Sequence, residues 1–125
     1  MGEAVRKCLV VDDSPIIRKV ARRIVEDMHF AVDEAGDGAE ALARCRKMMP
    51  EAILLDWNMP VMNGLDFVRA LRRERGGDKP IVVFCTTEND PIEIAEAMRA
   101  GANEYVMKPF DSDIMNSKFA DAGLI

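Results

Sequence analysis

Four short polar clusters in this sequence each follow a run of apolar residues. Asp12-Asp13 follows Cys8 to Val11, Asp56 follows Ile53-Leu54-Leu55, Thr86-Thr87 follows Val82 to Cys85, and Lys108-Pro109 follows Tyr105-Val106-Met107. If these clusters meet, three carboxylates lie beside one ammonium and two hydroxyls. Carboxylates so crowded repel one another and must hold a proton or recruit a cation. A hard divalent ion resolves the conflict. Mg2+ suits it best, because it takes a few carboxylates, keeps several waters and completes its octahedron with phosphate oxygens. Asp12 or Asp13 together with Asp56 would supply the carboxylates, and the backbone carbonyl of Asn58 a further oxygen. A carboxylate neutralised in this way can attack phosphorus and form an aspartyl phosphate. The three oxygens of the transferred phosphoryl group then need positive charge or donors on several sides. The metal, Lys108, and the Thr86 hydroxyl with the Thr87 amide can cover them.

The elements that must position these clusters can be read in order. Lys7 to Val11 is a β-branched apolar run. Ser14-Pro15 then supplies an N-cap and a residue suited to the first helical turn. Ile17, Val20, Ala21, Ile24 and Met28 repeat at three- and four-residue spacing, which predicts one buried helix face, while Arg18, Lys19, Arg22 and Arg23 fall elsewhere. A second strand spans Ala31 to Ala35, a turn lies at Gly36-Asp37-Gly38, and a second helix runs from Ala39 to Met48, stopped by Pro50. Glu51 to Asp56 is a third strand. Gly64 opens a third helix with Leu65, Phe67, Val68 and Leu71 inward, ending at Gly76-Gly77. Ile81 to Cys85 is strand four, and Asp90-Pro91 caps a helix over Ile92 to Ala100 that Gly101 ends as a left-handed cap. Glu104 to Met107 is strand five. The last helix runs from Asp111 to Ala122 with Ile114, Met115 and Phe119 on its apolar side. Alternating strands and helices imply an α/β, doubly wound domain with a parallel sheet and helices on both faces. In such sheets the working site lies at the carboxyl ends of the strands, where all four polar clusters fall.

With 125 residues, 49% hydrophobic and 31% charged, residues 1–125 are expected to form one domain around one core. Seventeen basic against twenty-two acidic residues leave a net charge of -5, which offers no general attraction to nucleic acid, so no DNA partner is expected. Apolar runs such as Ile81 to Thr86 are too short to cross a bilayer, and Met1 to Arg6 lacks the apolar stretch of a signal peptide, so a cytoplasmic protein is expected. Cys8, Cys45 and Cys85 are widely spaced and lie among apolar residues, as buried reduced thiols would.

Plainer readings compete at each position. Asp13 or Ser14 can cap the first helix without any further role. A Ca2+ loop at Asp56-Trp57-Asn58 is excluded by Pro60 and Val61, which occupy ligand and glycine positions. His29 lacks neighbouring ligands and reads as a structural or solvent-facing residue, with phosphoryl transfer as the alternative. Arg18, Lys19, Arg22 and Arg23 read as a solvated face, with kinase docking or an anionic ligand as the alternatives.

Residue by residue, the set resembles the response-regulator receiver family, and within it the chemotaxis receivers. The matching pieces are Val11-Asp12-Asp13-Ser14, Asp56-Trp57-Asn58-Met59-Pro60 followed by Gly64, Thr86, Tyr105, and Lys108-Pro109-Phe110. The resemblance covers nearly the entire chain. It implies a (βα)5 receiver domain with flavodoxin-like strand order 2-1-3-4-5, a monomer with no separate output domain. It makes Asp12 and Asp13 the acidic pair for Mg2+, Asp56 the phosphoryl acceptor, Thr86 the hydroxyl that moves toward the phosphate, Tyr105 the aromatic switch, and Lys108 the phosphate-contacting lysine before a cis Pro109. Asn58 and Glu88 stand where the family tunes phosphate lifetime, and Thr87 stands where a smaller residue is usual. The implied phosphodonor is a histidine kinase. The implied output is a changed surface of helix four, strand five and helix five, with the flagellar motor switch as the partner the chemotaxis likeness suggests. A phosphate sink or relay intermediate, or an effector binding an anionic nucleotide, are the alternatives. A metal-dependent phosphatase would need a second Asp where Asn58 stands. The expected catalysis is therefore confined to the chain's own phosphorylation and dephosphorylation.

Overall fold

The computed structural model describes residues 5–87 and 89–125. In chain order the elements are β1 (Lys7–Val11), α1 (Pro15–Glu26), β2 (Ala31–Ala35), α2 (Gly38–Lys47), β3 (Ala52–Asp56), α3 (Gly64–Arg73), β4 (Ile81–Thr86), α4 (Pro91–Ala100), β5 (Glu104–Met107) and α5 (Ser112–Asp121). Each helix begins on a side chain that accepts a backbone N–H of its first turn: Ser14, Asp37, Asn63, Asp90 and Asp111. Such caps are worth about 1 kcal/mol apiece. Gly101 ends α4 with φ 124°, and His29 turns the chain out of α1 with φ 69°.

The strands form one parallel sheet in the order β2-β1-β3-β4-β5. Strand order therefore reverses between β1 and β3. The connections out of these two strands leave to opposite faces and open a crevice at their carboxyl ends. On one face, Ala21, Ile24 and Val25 of α1 pack with Met115 and Phe119 of α5. On the other, Ala41, Leu42 and Cys45 of α2, Phe67, Val68 and Leu71 of α3, and Ala97 of α4 form the second layer of the core. All three cysteines are buried and free.

Three packing expectations are corrected. Ile17 and Val20 are exposed, as is Ile16, because α1 seats on the sheet through Ala21, Ile24 and Val25. Its first turns overhang the sheet's carboxyl edge instead. Ile114 of α5 is likewise exposed, with Met115 and Phe119 carrying that helix's contact. The helix of α1 also closes at Glu26, so Met28 lies beyond it and packs only partly against the core. No helix among the described residues is long and apolar enough to cross a membrane.

Candidate functional site

The crevice at the switch point is lined from both sides. β1 delivers Asp12 and Asp13, and β3 ends on Asp56. Asp12 is fixed at several atoms. Its N–H donates to the Ala35 carbonyl at 3.1 Å, and its Oδ1 accepts the Ser14 N–H at 2.9 Å. Lys108 enters from the end of β5, and its Nζ donates to Asp12 Oδ2 at 3.0 Å and to Asp56 Oδ1 at 3.2 Å. Its own N–H is held by the Thr86 carbonyl at 2.9 Å, which ties β5 to the end of β4. The bond between Lys108 and Pro109 is cis.

One oxygen from each of Asp12, Asp13 and Asp56 lies within 4.8 Å of the others. Asp12 and Asp56 are buried and Asp13 is exposed. Burial pushes the Asp56 carboxyl up to about 6, the Asp12 charge adds to that rise, and Lys108 and the Asn58 N–H oppose it. Burial pulls the Lys108 ammonium down. Its bonds to Asp12 and Asp56 and their charges outweigh this and hold it above the ordinary lysine value. Three carboxylates against one ammonium leave a surplus of negative charge facing the exposed Asp13 side. A hard, all-oxygen donor set with that surplus fits Mg2+. The neighbouring Cys85 thiol is pushed well up by burial and stays protonated, so it offers no competing nucleophile.

The loop after Asp56 is shaped by Gly64. A Cβ there would come within 2.6 Å of the Trp57 ring, and the Gly64 N–H donates to the Trp57 carbonyl at 2.9 Å. Asn58 follows with its side chain exposed. Thr86 is buried at the end of β4, and Thr87 is exposed beside Lys108. Phe84 and Thr86 share a face of β4 because strand side chains alternate. Tyr105, in register with Phe84, packs its ring 5.9 Å from that of Phe84, with Lys118 Nζ 4.6 Å above it. Glu88 lies outside the described residues.

A cavity of about 380 Å³ adjoins the site, lined by Ile17, Val20, Thr87, Lys108, Pro109 and Phe110. A second groove of similar volume lies between β1, β2 and the end of α2, at the opposite end of the strands and away from every candidate residue.

The basic residues of α1 divide. Lys19 and Arg23 are exposed, as a solvated face would have them, and His29 also faces solvent. Arg18 and Arg22 instead converge on Glu34 of β2, at 2.8 Å and 2.6 Å, and the Arg18 Nη1 donates to the Asp12 carbonyl at 2.7 Å. Sequence reasoning missed this link. The available signal was Glu34, the second of two adjacent carboxylates in the short strand Ala31-Val32-Asp33-Glu34-Ala35.

Residues 8–120 match the family model for the response regulator receiver domain. The chain is 37% identical over 117 residues to a chemotaxis protein CheY homolog of Campylobacter jejuni, covering 92% of this chain and 90% of that protein. It is 35% identical over 114 residues to chemotaxis protein CheY1 of Helicobacter pylori, covering 90% and 92%. The structure of chemotaxis response regulator CheY4 of Vibrio cholerae superposes with a TM-score of 0.90 at 34% identity, covering 95% of this chain and 99% of that one.

Proposed function

This chain belongs to the response regulator receiver family, and on that footing we propose that Asp56 accepts a phosphoryl group from a histidine kinase and so switches the surface of α4, β5 and α5. The observation that carries the reading is Lys108 bridging Asp12 and Asp56, with Asp13 in the same cluster, at the crevice where strand order reverses.

The Asp56 carboxylate attacks phosphorus as the N–P bond of a phosphohistidine breaks, and the departing imidazole keeps the electron pair and takes a proton from solvent. Asp12, Asp13, Asp56 and the Asn58 carbonyl would hold Mg2+, which when bound offsets the carboxylate charge and draws electron density from the phosphoryl oxygens. Lys108 exchanges its bond to Asp56 for one to a phosphoryl oxygen, which keeps its ammonium paired throughout. The Thr86 hydroxyl and Thr87 amide take the remaining oxygen. Asn58 and Glu88 govern how fast water reaches the acyl phosphate. The same residues catalyse only the chain's own phosphorylation and its dephosphorylation by water, since Asn58 cannot act as an acid toward a bound phosphate ester.

The exposed Ile17 and Val20, which line the cavity with Pro109 and Phe110, offer a phosphodonor apolar surface next to the acceptor. On the output side, Thr86 moving toward the phosphoryl group vacates space on the face it shares with Phe84 and Tyr105. Tyr105 then moves inward, and a two-state surface results. Its relatives are named chemotaxis proteins, and the resemblance to chemotaxis receivers makes the flagellar motor switch the candidate target. Incubation with a phosphorylated histidine kinase and Mg2+ should place one acid-labile phosphoryl group on the wild type and none on Asp56→Asn. Labelling that persists in Asp56→Asn would refute the assignment. Failure of the phosphorylated form to bind motor switch protein would leave a phosphate sink in its place.

A further inference from the structure

Asp13 is the member of the acidic cluster whose presentation is least secured by its own side chain. Among the described residues Asp12 and Asp56 both pair with Lys108, and Asp12 also accepts the Ser14 N–H, whereas no hydrogen bond reaches the Asp13 carboxylate. Its direction is therefore set by the backbone, and chiefly by the peptide that joins it to Asp12. The carbonyl oxygen of that peptide is the atom that Arg18 Nη1 grips at 2.7 Å. Arg18 is in turn oriented through Nε by Glu34 Oε1 at 2.8 Å, and the other Glu34 oxygen is held by Arg22 at 2.6 Å. Arg18 and Glu34 are both largely shielded, with side chains 22% and 25% exposed.

From this chain of contacts we infer that Arg18, locked by Glu34, is a positioning residue that fixes the Asp12–Asp13 peptide and so presents Asp13 to a divalent cation. The inference rests on the reading of Asp12, Asp13 and Asp56 as a magnesium site. A planar guanidinium holds the carboxylate and the carbonyl in one fixed fork geometry, which a freely rotating ammonium on a flexible stem enforces less well. The sign of the effect separates positioning from charge. Arg18 is a cation close to a cation site, so by Coulomb's law alone its removal should tighten metal binding. Loss of positioning should weaken it.

The test is Mg2+ titration without phosphodonor, followed by fluorescence of Trp57, the one tryptophan and the residue next to Asp56, and by calorimetry. Urea denaturation identifies the folded range for each variant. Arg18→Gln is expected to bind Mg2+ about ten-fold more weakly than the wild type, as is usual when groups behind a metal ligand are removed. Arg22→Gln, which loses a contact to the same Glu34 but none to the Asp12 carbonyl, should stay within about two-fold. Arg18→Lys should fall between, about three-fold weak, and carries the test if Arg18→Gln does not fold. Unchanged or tighter binding by the Arg18 variants overturns the inference, as does an Arg22→Gln defect equal to that of Arg18→Gln. A wild type with no response to Mg2+ would instead sink the magnesium site itself, and the inference with it.

Discussion

Leu55 and Asp56 are neighbours on β3 and both are buried, at 0% and 7% exposure, yet burial acts on them with opposite sign. Leu55 gains from leaving water, as do Ile53 and Leu54 before it. Asp56 loses, because its charged form gives up hydration and meets the Asp12 charge, and Lys108 offsets only part of that. The middle of the strand is built for stability, whereas its carboxyl end holds a buried carboxyl at the expense of stability. A destabilised, buried carboxylate beside an ammonium is consistent with the acceptor role proposed for Asp56.

The comparison can be broken most severely from the stable side. Leu55→Ala should cost about 3 to 4 kcal/mol in urea denaturation, the usual range for a fully buried leucine. From the reactive side the sign should reverse. In the presence of a chelator, Asp56→Asn is expected to stabilise the protein at neutral pH by as much as roughly 3 kcal/mol, since a carboxyl raised from ~4 to about 6 is worth that much. The folded state holds this proton more tightly than the unfolded one. Its contribution is therefore intact below pH ~4 and is lost as the pH rises through about 6. Denaturation of the metal-free wild type across that interval should show falling stability, and Asp56→Asn should flatten the curve. An equal slope in both proteins would show that the burden lies elsewhere. The smallest effect belongs to the loop just past Asp56, where Val61 is 85% exposed at φ 67°, a left-handed backbone that a β-branched residue adopts reluctantly. Val61→Asn should stabilise by about 1 kcal/mol in the same assay.

Much of the architecture was legible because its signals are local. Apolar runs, cap residues and helix-ending glycines report on adjacent positions, and the elements appear within about two residues of their expected bounds, except that α3 closes at Arg73, short of the expected Gly76-Gly77. The convergence of Asp12, Asp13, Asp56 and Lys108 was legible too, because parallel strands must end on the same edge. What escaped depends on how a helix rolls on its sheet. The spacing of Ile17, Val20, Ala21 and Ile24 describes a stripe, but not which part of it overhangs the edge. The bond from Arg18 to the Asp12 carbonyl has no pattern of its own, since a backbone oxygen carries no letter in the sequence.

The sheet's two outer strands share a further trait. Each is clipped to a flanking helix by ion pairs: Asp33 to Arg44 and Glu34 to Arg18 and Arg22 on β2, and Glu104 to Lys118 on β5. Open strands invite pairing with other chains, and charged side chains along them make such addition costly. These paired charges give the sheet resistance to stacking edge to edge with other copies of the chain.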